Sequence, residues 1–168
     1  MTVEGTAAPI AYRAPMRSRD DAVAAGIAVE RALAIGVCGM GGRLDERPPS
    51  LDAALAAVDA RHGERAARRL ERFSVLPDGT FVWTRDVDEL LWLGRLAGEW
   101  WYDDAPPAAE ADLVHVRDCT WLERPVAASD VPPGVRATFA RGGRNGQRIH
   151  AAGAGPLSAR LWDLLGGR

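Results

Sequence analysis

Apolar and polar residues alternate most clearly between residues 79 and 102, which indicates two consecutive β-strands. Pro77-Asp78-Gly79 supplies a turn before the first strand, and the polar run 85–89 forms the loop before the second. Gly94 and Gly98 predict bulges or a tight corner. Such a strand pair is typical of a small barrel or a strongly bent sheet. Four of the six tryptophans lie here, either in a core or around a pocket.

Helical spacing appears in five other segments. Asp20-Asp21 can cap a short helix over 22–31, and Ser50 caps a longer one in which Leu51, Leu55 and Val58 face inward. Gly63 should end that helix before another over 64–73. We further expect helices over 133–139 and 156–165.

The remaining segments are predicted as strands and connections. Residues 32–37 suggest a buried strand, and 113–122 a strand with His115 and Arg117 on a polar face and Val114 and Val116 on an apolar one. Residues 103–112 are expected to form a loop. We expect residues 1–19 to be an extended lead-in to a single domain over 20–168.

Composition indicates one ordinary globular domain. The chain has 168 residues, 47% apolar and 26% charged. It contains no apolar run long enough for a signal peptide or a bilayer span, so we expect a cytoplasmic protein without membrane partners. Cys38 and Cys119 have no spacing typical of metal ligands, and we expect reduced thiols, no metal and no cofactor.

The net charge of −2 is distributed unevenly along the chain. Residues 136–168 contain six arginines against one aspartate, a local charge of +5. Every basic residue is arginine, which either reflects GC-rich coding or supplies planar forks for phosphates and base edges. A stripe of arginines along the two predicted helices fits either a solvated helix face or a phosphate-tracking surface. Its members are Arg61, Arg65, Arg68 and Arg72.

No catalytic motif is present. The glycines at 36, 39, 41 and 42 match neither the Walker pattern nor the dinucleotide fingerprint, and favour a tight strand exit beside a pocket. There is no nucleophile elbow, zincin motif or deaminase signature. The absence of lysine excludes the usual PD-(D/E)xK nuclease core. We therefore expect a protein that is not an enzyme.

The loop after the helix over 133–139 is a candidate phosphate-binding segment. It reads Arg141-Gly-Gly-Arg-Asn-Gly-Gln-Arg, so arginine forks and backbone N–H groups can lie against phosphates. A flexible basic loop is the alternative.

The order of these motifs resembles the PUA-like superfamily, and within it the EVE and YTH group. The similar stretches are Ala34-Ile-Gly-Val, residues 67–83, the strand pair Trp92-Leu-Gly-Arg-Leu-Ala-Gly-Glu-Trp-Trp-Tyr, and His115-Val-Arg-Asp-Cys-Thr-Trp with the arginine-rich loop beyond it. Together they span residues 32–150. No single motif is specific; the resemblance rests on their order.

The resemblance implies an α+β fold, a PUA-like curved β-barrel or strongly bent mixed sheet flanked by short helices. It also implies a pocket that takes one base, often modified, into an aromatic cage. Relatives attached to nucleases sense modified DNA, and others bind modified RNA. Val37 departs from the pattern, because relatives commonly place a tryptophan there.

The resulting hypothesis is a non-catalytic module that binds DNA or RNA and takes one base, modified or not, into an aromatic pocket. A role as a modified-base sensor in defence or restriction, with a nuclease or other protein partner, fits this hypothesis. The predicted base-binding residues are Val37, Cys38, Gly39, Trp83, Trp92, Arg117 and Asn145, and the predicted phosphate-binding residues are Arg141, Arg144 and Arg148. One alternative is a small-molecule-binding or hydrolytic enzyme on the same barrel that uses His115 with a loop carboxylate. The other is a scaffold or interaction subunit.

Overall fold

The computed structural model describes residues 7–141, 147–151 and 153–167. The secondary-structure elements in this part of the chain are, in order, β1 (Ala11–Arg13), α1 (Ile27–Ile35), β2 (Val37–Met40), α2 (Leu51–His62), α3 (Glu64–Ser74), β3 (Phe81–Arg85), β4 (Leu91–Tyr102), α4 (Pro106–Ala111), β5 (His115–Trp121), α5 (Pro133–Ala140), β6 (Gln147–Arg148) and α6 (Ala154–Leu164).

The six strands form one mixed sheet in the order β2-β5-β4-β3-β1-β6. β1 runs parallel to β3, and the other neighbouring pairs are antiparallel. The α+β class, with a mixed sheet and flanking helices, is thereby confirmed. The described strands do not close into the expected barrel, because β2 and β6 are opposite edges of the sheet.

Hydrophobic residues cover the sheet on both sides around β3. Phe81 and Trp83 join α5 and α6 in one core, whereas Val82 joins the core that contains α1, α2 and α3. Successive side chains of a strand point to opposite faces, so a central strand between two helical layers is buried at successive positions. This explains why β3 reads as a continuous buried run.

Most of the predicted elements are confirmed. The strand pair appears as β3 and β4, and α2, α3, β5, α5 and α6 lie where periodicity indicated them. The Ser50 hydroxyl accepts a hydrogen bond from the Ala53 amide as the N-cap of α2, and Gly63 separates α2 from α3.

Four expectations differ from the structure. The helix placed over 22–31 begins only at Ile27, and residues 32–35 continue it, so the strand begins at Val37. A short apolar run does not distinguish a helix end from a buried strand, and alanine favours the helix.

The expected loop over 103–112 contains α4, with prolines in its first turn. The expected lead-in contributes β1 inside the sheet, although three residues give no periodicity to read.

β4 contains the bulge that Gly98 indicated, and the buried guanidinium of Arg117 lies beneath it. The pairing of β4 with β5 shifts between Ala97 and Trp101, and Gly98 has a φ of +70°. Arg117 Nε donates to the Gly98 carbonyl oxygen at 2.8 Å. Its Nη1 donates to the carbonyl oxygens of Phe73 and Leu76, at 3.2 and 2.7 Å. One side chain therefore joins the bulge to the C-terminal end of α3.

We predict that Arg117→Gln destabilises the fold by about 3 kcal/mol, because it leaves buried carbonyl oxygens without donors. Urea unfolding measures this loss as a lower midpoint. The matched control is Arg124→Gln at an exposed position beyond β5, which should stay within about 0.5 kcal/mol of the parent. Equal midpoints for the two variants would contradict the role of Arg117.

Candidate functional site

A cavity of about 530 Å³ lies where the chain leaves β2. Its walls come from residues 15–20, residues 40–43 and the facing sides of α2 and α3. Five arginines line it: Arg17, Arg19, Arg43, Arg61 and Arg69. We call this cavity the arginine cleft.

Two glycines let the wall after β2 approach Asp112 closely. A Cβ atom at Gly41 would lie 2.5–2.8 Å from the atoms of the Asp112 carboxylate, and Gly42 has a φ of +115°. The Gly42 amide donates to Asp112 Oδ1 at 3.0 Å, and the Ser18 hydroxyl donates to Oδ2 at 2.6 Å. The glycine run is therefore a tight strand exit beside a cavity, as its spacing favoured.

Two histidines form hydrogen bonds to backbone carbonyl oxygens of the same wall. His115 Nε2 donates to the Gly42 carbonyl oxygen at 2.8 Å, and His62 Nε2 donates to the Arg43 carbonyl oxygen at 2.7 Å. The Trp100 indole N–H donates to His115 Nδ1 at 3.3 Å, and the two rings stack with 6.1 Å between centroids. Since tryptophan only donates and a carbonyl only accepts, His115 is the neutral tautomer with its proton on Nε2.

Burial lowers the pKa of His115 to about 4, against a weaker opposing effect of its hydrogen bond to Gly42. The side chain is 1% exposed, and both ring nitrogens are engaged by protein groups. His115 thus supports the cleft wall, and this geometry gives no support to the alternative in which it is a catalyst.

The arginines of the cleft differ in their partners. Arg43 donates to Asp20 at 3.1 Å and lies 3.7 Å from Asp112, and Arg61 forms an ion pair with Asp45. Arg17 and Arg19 are exposed, and neither forms an ion pair with a residue in the described ranges. These two guanidinium groups are available to an anionic ligand.

The floor of the cleft is apolar. Met40 from β2, Val58 from α2 and Leu70 from α3 are all buried and line it. A flat apolar group can lie on this floor while forks at the rim bind negative charge. The cleft therefore suits a ligand with a flat apolar part and an anionic part.

The predicted stacking pair does not come together. Trp83 pairs with Leu93, whereas Trp92 pairs with Thr84, the next residue along β3. The two indoles therefore lie on opposite faces of the sheet. Trp83 is 0% exposed, and its Nε1 donates to the Ser158 hydroxyl at 2.9 Å, so it is a core residue. Trp92 is half-buried and donates to Asp86 at 2.8 Å.

Among the described residues, no tryptophan, tyrosine or phenylalanine forms part of the lining of the arginine cleft, so they supply no aromatic cage there. Trp101 donates to Asp118 and Trp121 to the Val37 carbonyl oxygen, while Trp162 packs in the core with Phe81. Trp83 and Trp162 serve as packing groups, since a buried indole combines a large apolar area with one N–H that the fold can satisfy.

The expected pocket floor over Val37 to Gly39 lies one residue before the cleft. Val37 and Cys38 are buried in the core with 2% and 0% exposure, and the lining begins at Met40. Burial raises the pKa of Cys38 to about 12 and also raises that of Cys119, so both thiols are protonated and pack as apolar groups.

The predicted arginines also separate. Arg117 is 2% exposed beneath the β4 bulge and presents no edge to a ligand. Arg141 follows α5 and Arg148 lies on β6, both exposed and neither in the lining of the cleft. Asn145 and Arg144 lie outside the described residues. In the helical stripe, Arg61 lines the cleft, whereas Arg65 and Arg72 do not and Arg68 pairs with Glu64.

Sequence reasoning missed the residues that line the cleft from the lead-in and from α3. Arg17 and Arg19 follow prolines in a segment without periodicity, and Arg69 falls between members of the stripe. The glycine run was the available signal, because a run that approaches a ligand or another backbone marks the edge of a site.

Within the described ranges, no group of three or more His, Cys, Asp or Glu side chains converges as metal ligands do. None of the helices in this part of the chain is both long and apolar enough to cross a membrane.

Comparison with known proteins gives little further guidance. No family model matches the sequence, and no curated protein matches it. Among solved structures, the chain is similar to the YTH domain of the Zygosaccharomyces rouxii MRB1 protein, crystallised in complex with N6-methyladenosine RNA. The TM-score is 0.43 at 11% identity, over 94% of this chain and 86% of that one. A likeness at this level assigns neither a family nor a ligand.

We predict that acid destabilises the protein partly through His115. Between pH 6.5 and pH 4 the unfolded chain binds a proton at His115 that the folded chain does not, so the free energy of unfolding falls as the pH falls. The full effect is about 3 kcal/mol. His115→Gln should therefore lose less stability than the parent between pH 7 and pH 4.5, as measured by urea unfolding. The control, exposed His150→Gln, should retain the parental pH dependence, and parallel curves for His115→Gln would refute the assignment.

Proposed function

We propose that this protein is a nucleic-acid-binding module that takes one nucleotide into the arginine cleft. The observation that carries the proposal is the cleft itself, a cavity of about 530 Å³ with an apolar floor and five arginines around it. Its volume falls in the range of small-ligand sites. A nucleotide combines a flat base with an anionic phosphate, the two features that the floor and the rim can each bind.

Recognition of the base depends on groups other than tryptophan. The flat face would lie against Met40 and Leu70, and the planar guanidinium groups at the rim can stack on the opposite face. Arg17 and Arg19 can bind the phosphate, because their forks have no carboxylate partner among the described residues. Modified and unmodified bases, in DNA or in RNA, all fit this proposal. A sensor of modified bases that acts with a nuclease is one form of it.

The salt dependence of binding tests the role of the two arginines. Each phosphate contact releases counterions, so Arg19→Gln should lower the slope of log affinity against log salt by about one, and the Arg17→Gln/Arg19→Gln double variant by about two. Fluorescence anisotropy of labelled hexanucleotides between low and moderate salt gives these slopes.

The matched control is Arg160→Gln, which removes one exposed arginine from α6 and changes the net charge equally. It should keep the parental slope. If the control and the Arg19→Gln variant weaken binding alike, the effect is one of overall charge and the cleft assignment fails.

The choice of base is tested with the same assay. Matched DNA and RNA oligonucleotides would carry unmodified, methylated or hydroxymethylated cytosine, or N6-methylated adenine. If the parent binds one modified base most tightly and the Arg19→Gln variant ranks the bases in the same order of affinity, the protein is supported as a module that recognises a modified base. If the parent binds none of these ligands, the nucleic-acid proposal is wrong and the scaffold alternative gains support.

A further inference from the structure

A second cavity, of about 290 Å³, lies between β1, α1, the loop after β3 and α5. Arg13, Arg17 and Arg85 line it together with Phe139. We call it the Phe139 cavity. Its lining shares Pro15 and Arg17 with the arginine cleft, so the two cavities flank the same short segment after β1.

Two guanidinium groups converge on one aromatic ring in this cavity. The Cζ atoms of Arg13 and Arg85 lie 5.7 and 5.9 Å from the centroid of Phe139. Arg13 is 1% exposed and donates to the Thr138 carbonyl oxygen, which fixes its position from α5. Cation–π contacts of this kind orient the planar forks without neutralising their charge.

The lining also contains two carboxylates, those of Asp86 and Glu89, against its three arginines. Asp86 Oδ1 accepts from the amides of Asp88 and Leu90 at 2.9 Å, and Oδ2 accepts from Trp92. Glu89 is exposed. Neither carboxylate forms an ion pair with an arginine of the cavity within the described residues. The lining therefore places three guanidinium groups against two carboxylates, an excess of one positive charge.

Burial lowers the pKa of Arg13, and the nearby charges of Arg141 and Arg85 lower it further. The second effect is repulsion between like charges around the cavity, and it is smaller than that of burial. A bound anion would relieve that repulsion, so the cavity favours negative charge independently of any one hydrogen bond.

We propose that the Phe139 cavity is a second anion site, which takes a phosphate group. In the nucleic-acid complex it holds the phosphate of a nucleotide next to the one in the arginine cleft, with the strand crossing the segment that carries Arg17. The assignment of a chain-linked phosphate rests on the proposed function, whereas the anion site itself does not.

The decisive variant is Arg85→Gln, because Arg85 lines the Phe139 cavity and not the arginine cleft. Its matched control is Arg95→Gln on the neighbouring strand. Arg95 also lies 5.9 Å from a phenylalanine ring, that of Phe81, but lines neither cavity. The two changes remove the same charge and the same kind of ring contact.

The first measurement compares hexanucleotide and mononucleotide binding at low salt. Arg85→Gln should weaken hexanucleotide binding about tenfold, the amount expected for one charge-assisted contact, and mononucleotide binding less. Arg95→Gln should bind both like the parent. An equal loss in Arg95→Gln, or no loss in Arg85→Gln, overturns the adjacent-phosphate assignment.

The second measurement compares thermal unfolding in sodium phosphate and sodium chloride at equal ionic strength. A rise in Tm in phosphate that falls by at least half in Arg85→Gln and persists in Arg95→Gln shows that the cavity takes free phosphate. No rise, together with a selective loss of hexanucleotide binding, shows that it takes only chain-linked phosphate. If Arg85→Gln changes neither measurement, the second anion site is wrong.

The two proposals fail separately. Binding that depends on Arg19 but not on Arg85 supports the arginine cleft alone. A phosphate-dependent rise in Tm that requires Arg85, in a protein that binds no oligonucleotide, supports the anion site and refutes the nucleic-acid function.

Discussion

The buried guanidinium of Arg117 is the interaction on which the geometry of the cleft depends. It joins three carbonyl oxygens, from the β4 bulge and from the C-terminal end of α3, beneath the sheet. Its fourth contact, to Asp78 at 2.8 Å, reaches an exposed carboxylate in the turn before β3. A planar fork with five donors can reach these four acceptors at once, whereas an ammonium group has only three donors. α3 supplies one wall of the cleft, so the position of that wall relative to the sheet depends on Arg117.

His115 fixes the other wall of the cleft through its hydrogen bond to the Gly42 carbonyl oxygen. It lies on the same face of β5 as Arg117, two residues earlier. Opposite them on β2 are Met40 and Cys38. This strand face is polar by composition and yet buried, because each polar atom that it carries meets a protein partner. The buried histidine is neutral and the buried arginine is charged. Imidazole gives up its proton at moderate cost when water is removed, whereas guanidinium retains its proton and requires acceptors.

These two residues show why the fold could be predicted further than the site. Periodicity identified β5 and placed His115 and Arg117 on one face, which is correct. Periodicity does not show whether a polar face meets water or a ring of carbonyl oxygens from other elements, and only the second arrangement occurs here. The tryptophans show the converse, since their pattern located β3 and β4 but not the register between them, which pairs Trp92 with Thr84 and so places it on the opposite face of the sheet from Trp83. The cap at Ser50, the break at Gly63 and the bulge at Gly98 were predictable because each depends on local backbone chemistry. The cleft was not, since its arginines come from segments that meet only through tertiary contacts.

The segment after β1 contributes to the lining of both cavities. Ala14 donates from its amide to the Trp83 carbonyl oxygen, so the chain is still attached to the sheet one residue beyond β1. Pro15 and Arg17 then lie between the arginine cleft and the Phe139 cavity.

A protein with a net charge of −2 has no general attraction for polyanions, and nonspecific binding would be weak. Guanidinium groups concentrated on both sides of one segment create a local positive field that the net charge does not describe. In the proposed nucleic-acid complex, selectivity between a polyanion that follows this path and any other anion would depend on spacing, because a strand that placed consecutive phosphates in both cavities would gain over a small anion, which can occupy only one at a time.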